Sequence, residues 1–156
     1  MPITPEDLPF SDITPTEQLM TRMGIELVEA NRERVVGTMP VTGNRQLFGL
    51  LHGGANGVLI ESLGSISAAI HAMPARFPVG LELTCTHHGS AEVGLVTGVA
   101  IPVHVGRSTS TIDVTITDEQ GRVTCTGRLT CMHLDRQPGQ AAAAERARTN
   151  TAAERA

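Results

Sequence analysis

One segment of this chain reads as a substantial helix, and it has almost no polar face. Residues 54–72, GANGVLIESLGSISAAIHA, run from a glycine-rich entry towards Pro74, which cannot continue a helix. At 100° per residue, Ala55, Val58, Leu59, Leu63, Ile66, Ala69 and Ile70 gather on one side. Glu61, the sole acidic residue of the segment, falls off that stripe beside Gly57, Gly64, Ser65 and Ala68. Glycine inside a helix is unfavourable against alanine, so the small side calls for a close contact with a neighbouring backbone or a ligand.

The remaining segments alternate like strands. Ile25–Ala30 and Arg34–Pro40 precede the helix; Gly80–His88, Gly94–His104, Ser108–Thr117 and Arg122–His133 follow it, rich in Val, Ile and Thr. Ile112, Val114 and Ile116 alternate with Thr111, Asp113 and Thr115, which gives that strand one dry face. An antiparallel sheet with one dry face has to cover it, and a single long helix is the cover at hand. The expected fold is therefore α+β, an antiparallel sheet wrapped around one long central helix, the shape called a hotdog. Asp118-Glu119-Gln120-Gly121 reads as a hairpin turn. A short helix capped by Thr14 or Thr16, with Glu17 near its start, is expected to reach Met23 and stop at Gly24. Residues 1–15 read as an N-terminal arm and 16–134 as the folded domain. Residues 135–156, mostly Ala, Arg and Glu with no apolar stripe, read as a disordered tail.

Composition narrows the functional classes. A net charge of −4 argues against a nucleic-acid footprint. No apolar run is long enough to span a membrane, and MPITPEDLPF lacks the basic start and apolar stretch of a signal peptide, so a cytoplasmic location is expected. Cys85, Cys125 and Cys131 cannot all pair and lack CxxC spacing; they read as buried free thiols. No partner histidine is identifiable for any of them, so none is expected to be a nucleophile. His87 and His88 are neighbours on a strand and point to opposite faces. No His/Cys/Asp set has zinc spacing, so no metal is expected. Without Trp or Tyr the core must be aliphatic, and Phe48, Leu50, Met73 and the stretch Met20–Met23 are candidates for a pocket wall.

The helix entry, His52-Gly53-Gly54, offers unpaired N–H groups with partial positive charge. Glycines let a carbonyl oxygen approach them, a means of polarising it. Eight residues separate Gly53 from Glu61, about 12 Å along one helix. One carbonyl cannot meet both groups of the same helix. If both act in one reaction, two antiparallel copies about a two-fold axis would bring Gly53 of one chain to Glu61 of the other, twice, and that reading predicts a homodimer; the alternative is a helix packed tightly on the sheet or on its twin, with Glu61 at a wet margin. Ser65 lies at i+4 from Glu61 on the same side. His52 suits a loop-ordering role more than an acid–base one. Arg107, after Gly106 and ahead of Ser108, Thr109 and Ser110, suits a phosphate.

Gln46, His52-Gly53-Gly54, Glu61 and Ser65, followed by PVHVGRSTSTIDVTITDEQGR, resemble the PaaI-type hotdog-fold acyl-CoA thioesterases, near the Arthrobacter-type 4-hydroxybenzoyl-CoA thioesterase branch. The resemblance implies hydrolysis of an acyl-CoA to free acid and CoA. It implies that Gly53 polarises the carbonyl and that Glu61 of the partner subunit is the nucleophile or the base for water. It implies that Gln46 orients the reacting groups and that Ser65, where the family commonly has threonine, holds water or the carboxylate. The implied substrate-binding set is His52, Gly54, Arg107, Ser108 and Thr109. The family forms dimers and dimers of dimers and needs no cofactor, coenzyme A being part of the substrate. Two other readings stay open: a hotdog hydratase or dehydratase using His52 and Glu61 as acid and base, and a non-catalytic acyl-CoA-binding protein. The acyl group is open as well.

Overall fold

A computed structural model describes residues 18–135. The elements are α1 (Leu19–Arg22), β1 (Glu26–Ala30), β2 (Val35–Pro40), α2 (Gly53–Ala72), β3 (Phe77–His87), β4 (Leu95–Val105), β5 (Thr109–Asp118) and β6 (Val123–Leu134). The six strands form one sheet in the order β1-β2-β4-β5-β6-β3, every neighbour antiparallel. The sheet wraps α2, as its dry faces require. The arm, the tail, the candidate caps Thr14 and Thr16, and Glu17 lie outside the described residues. What is described of α1 is a single turn, closed at Gly24, whose φ of +67° is a conformation glycine adopts without strain.

The helix is enclosed more completely than a one-sided stripe suggests. Leu59, Ile60 and Leu63 are fully buried, and glycines in the sheet make room for them. A Cβ on Gly98 would stand 2.7 Å from Leu63, one on Gly37 also 2.7 Å from Leu63, and one on Gly127 2.5 Å from Ile60. Gly37 and Gly98 are direct partners across β2 and β4, so they form a notch under the helix. Gly64 closes the packing from the other side, where its own Cβ would meet Leu129 of β6 at 2.7 Å. The small residues of α2 thus divide: Gly64 and Ala68 are pressed into the fold, while Gly57 and Ser65 line a groove.

Pro78 lies inside β3 opposite His133; as the second residue of an edge strand it interrupts little pairing. The expected hairpin closes at Gly121 (φ +74°). There the buried Asp118 carboxylate accepts from the Gln120 and Arg122 N–H groups and from the Arg122 side chain.

Candidate active site

A groove of about 680 Å³ runs along α2 between the helix and β3. Gly53, Gly54, Gly57, Val58, Glu61, Ser62 and Ser65 form its helix wall, Leu83, Cys85 and His87 its strand wall, and Leu19 one end. The apolar wall is thus Leu19, Val58 and Leu83. Phe48 stands exposed at a loop tip, and Met20 and Met23 pack on the core instead.

The strand wall depends on a β-bulge. Gly80 faces Cys131, Glu82 faces Thr130 and Leu83 faces Leu129, so Leu81 is the extra residue. Strict alternation would turn Gly80 and His87 to opposite faces. The bulge resets the phase, and Gly80, Leu83, Cys85 and His87 all face the helix.

Each end of the groove has its own chemistry. At the entry, His52 caps α2: its Nδ1 accepts from the Gly54 N–H at 2.8 Å. His52 therefore orders the helix start, as its position suggested, and it does not line the groove. Among the described residues no acceptor takes the Gly53 N–H. The His87 ring lies against this residue, with Nε2 only 2.9 Å from where a Gly53 Cβ would stand. Two turns on, the Glu61 carboxylate rests over Gly80, where a Cβ would be 2.5 Å from Oε1. Among the described residues Glu61 has no ion-pair or hydrogen-bond partner. Burial raises its pKa above the ordinary carboxylate value. The neighbouring Cys131 thiol is pushed up to about 11, first by burial and then by the charge of Glu61.

The other expected site residues sit outside the groove within one chain. Gln46 is in the loop before α2, its side chain accepting from the Phe48 N–H at 2.5 Å. Arg107 and Ser108 are exposed in the turn between β4 and β5, with Thr109 half-buried beside them. The register Ser110–Cys131–Gly80 puts this turn at the Glu61 end of the groove.

The expectation that all three cysteines are buried and without a histidine is corrected at Cys85. Cys125 and Cys131 are buried, but Cys85 is exposed, and its Sγ lies 3.7 Å from His87 Nε2. Its side chain lines the open groove between β3 and α2, which leaves the thiol accessible. The i, i+2 spacing of Cys85 and His87 is the sequence signal for the pair. The far side of His87 contacts buried Asn56, Nδ1 to Nδ2 at 3.3 Å.

Comparison with known proteins settles the family. Residues 48–125, spanning the helix, β3, β4 and β5, match the thioesterase superfamily. The chain is 44% identical over 110 residues to the proofreading thioesterase EntH of Cronobacter sakazakii, covering 70% of this chain and 75% of that protein. The chain belongs to the thioesterase superfamily. This thioesterase also superposes on solved structures. One is a thioesterase of Pseudomonas aeruginosa carrying a glutamine-to-alanine substitution (TM-score 0.73, 34% identity, 76% of this chain and 87% of that one). Another is a Staphylococcus aureus protein, solved with a glutamate replaced by alanine (TM-score 0.72, 32% identity, 74% and 98%) and with a glutamine replaced by alanine, under the name thioesterase. The six-stranded sheet around α2 is the hotdog fold of these thioesterases, and the activity of this one is thioester hydrolysis.

Proposed function

We propose that this thioesterase hydrolyses an acyl-CoA as a homodimer, with each catalytic site built from two chains. The observation that carries the reading is the pair of uncommitted groups in one groove: the Gly53 N–H at its entry and the Glu61 carboxylate two turns along. About 12 Å of helix separates them, too far for one carbonyl. A second copy running antiparallel brings the partner's Glu61 to Gly53. β3 supports this, being an edge strand of 11 residues with Leu81 and Leu83 exposed. Such an edge is a template for pairing. The exposed Leu47 and Phe48 beside the helix entry add apolar surface for the same contact.

The roles then follow from chemistry. The Gly53 N–H, aided by the helix dipole, stabilises the oxyanion as the thioester carbon becomes tetrahedral. The partner's Glu61 adds to that carbon directly, or removes a proton from the water that does. Partial burial raises its pKa, which makes the carboxylate a stronger base. Ser65, one turn from Glu61 on the groove wall, holds the water or the carboxylate. Gln46 orients the thioester beside Gly53. In the Staphylococcus aureus relative the replaced glutamine and glutamate are fifteen positions apart, the separation of Gln46 and Glu61 here; this supports the pairing of roles. His52 and Gly54 shape the entry, and Arg107, Ser108 and Thr109 hold a phosphate of coenzyme A. No cofactor is required. The Cronobacter relative, named as a proofreading enzyme, supports a substrate made by another enzyme and cleared here. The test is thiol release from a panel of aromatic and aliphatic acyl-CoAs, with wild type compared with Glu61→Ala. The variant is expected to bind CoA without turnover; unchanged hydrolysis refutes the assignment.

A further inference from the structure

We propose that Cys85 is an acyl-accepting nucleophile of the groove, taking the acyl group of a bound thioester onto its own sulfur with His87 as base. The proposal rests on the reading of the groove as the thioester site.

Three side chains are aligned in sequence of contact. Cys85 Sγ lies 3.7 Å from His87 Nε2, and His87 Nδ1 lies 3.3 Å from the Asn56 amide. Asn56 is only 4% exposed, and its Oδ1 has no hydrogen-bond partner. A buried polar atom without a partner is costly. Half a turn of the amide puts Oδ1 against His87 Nδ1 and leaves the amide nitrogen in the position that Oδ1 held. The Nδ1 then carries the proton, and Nε2 is left as an acceptor pointing at the thiol. Asn56 thereby acts as a positioning residue, holding both the tautomer and the ring. This is the logic of a nucleophile, a base and an orienting group.

The pair stands where an acyl carbon would be. His87 packs on Gly53, whose N–H is free to receive the oxyanion. Cys85 lines the same wall of the groove. In the step, His87 Nε2 takes the Cys85 proton and the sulfur adds to the thioester carbonyl carbon. The bond from that carbon to the sulfur of CoA breaks. The proton passes from His87 to the departing thiolate. The products are S-acyl-Cys85 and free CoA thiol. One thioester replaces another, so the exchange is close to isoenergetic and reversible. Water activated by the partner's Glu61 later cleaves acyl-Cys85, its oxygen going to the acyl carbon and a proton to the sulfur, so replacing Glu61 traps the acyl group.

The test uses the full chain bearing Glu61→Gln, incubated with benzoyl-CoA and with hexanoyl-CoA and read by intact and peptide mass spectrometry. The expected result is one acyl group on the Cys85 peptide, removed by hydroxylamine and absent when Cys85→Ala is added. A bound acyl-CoA with Cys85 unmodified overturns the proposal, as does equal labelling of Cys125 and Cys131. Alkylation by iodoacetamide reads the pair without any thioester. Its rate at Cys85 is expected to fall about tenfold in His87→Ala. Asn56→Asp, which keeps the acceptor, should retain the fast rate while Asn56→Leu loses it. Equal rates in all of these folded proteins overturn the proposal. Failure of the groove reading would show differently: no thiol release from wild type, with the alkylation differences intact.

Discussion

The Glu61 carboxylate sits on the bare backbone of Gly80, with Oε1 only 2.5 Å from where a Cβ would be. The atom in the way is the far end of a flexible side chain, so the fold can accommodate a methyl group while the carboxylate cannot keep its place. Gly80→Ala is therefore expected to melt near wild type but to lose about 10²-fold in kcat, the scale of an ångström of misplacement. Calorimetric melting and thiol-release kinetics on the same preparation check it.

Removal of the Glu61 charge is expected to act on rate and stability in opposite directions. Glu61→Gln should lower kcat by about 10²–10⁴-fold, the range for a general base. In wild type, activity should rise with pH through a midpoint above the ordinary carboxylate range, because burial raises the pKa of Glu61. A raised folded pKa means the folded chain holds this proton more tightly than the unfolded chain. The stability from that proton is complete below the unfolded pKa and is lost as pH rises through the folded one. Glu61→Gln should accordingly raise Tm at about pH 7.5 and have little effect at about pH 3.5; Tm against pH for both proteins is the measurement.

The notch under the helix should be sensitive from both sides. Leu63→Ala removes a fully buried side chain and is expected to cost about 2–5 kcal/mol. Gly98→Ala places a methyl group 2.7 Å from Leu63 and 3.3 Å from Leu59, overpacking worth about 1–3 kcal/mol. Combined with Leu63→Ala, the Gly98→Ala penalty should shrink, since the cavity receives the methyl. A double-mutant cycle in urea reads the coupling.

The exposed edge of β3 gives the assembly its own test. Leu81→Lys puts a charge on the bulged, exposed residue of that edge, a device that blocks strand pairing. The expected product is a folded chain of half the native mass in solution and without hydrolysis. A dimer with full activity would show that the partner's Glu61 does not reach through this edge.

Much of the site was legible along the chain. His52 as a helix cap, Gly53 at the entry, Glu61 and Ser65 one turn apart are local relationships, set by 3.6 residues per turn. The hairpin at Asp118–Gly121 is local in the same way. The strand wall was hidden. Cys85 and His87 are two residues apart and readable as one face, but which face met the helix depended on the bulge at Leu81. Gln46 and Arg107 remain outside the groove of one chain, because loop and turn positions are fixed by what packs on them.

The residue pattern alone determined that a single aliphatic helix would be enclosed by an antiparallel sheet. Periodicity is a property of neighbours in the chain, and dry faces must be covered. Only the tertiary structure decided which residues share the groove. The extra residue at Leu81 reverses the facing of everything after it, so Gly80 beneath Glu61 and Cys85 beside His87 become one wall. A phase shift of that kind arises from pairing with β6, and no stretch of β3 by itself carries it.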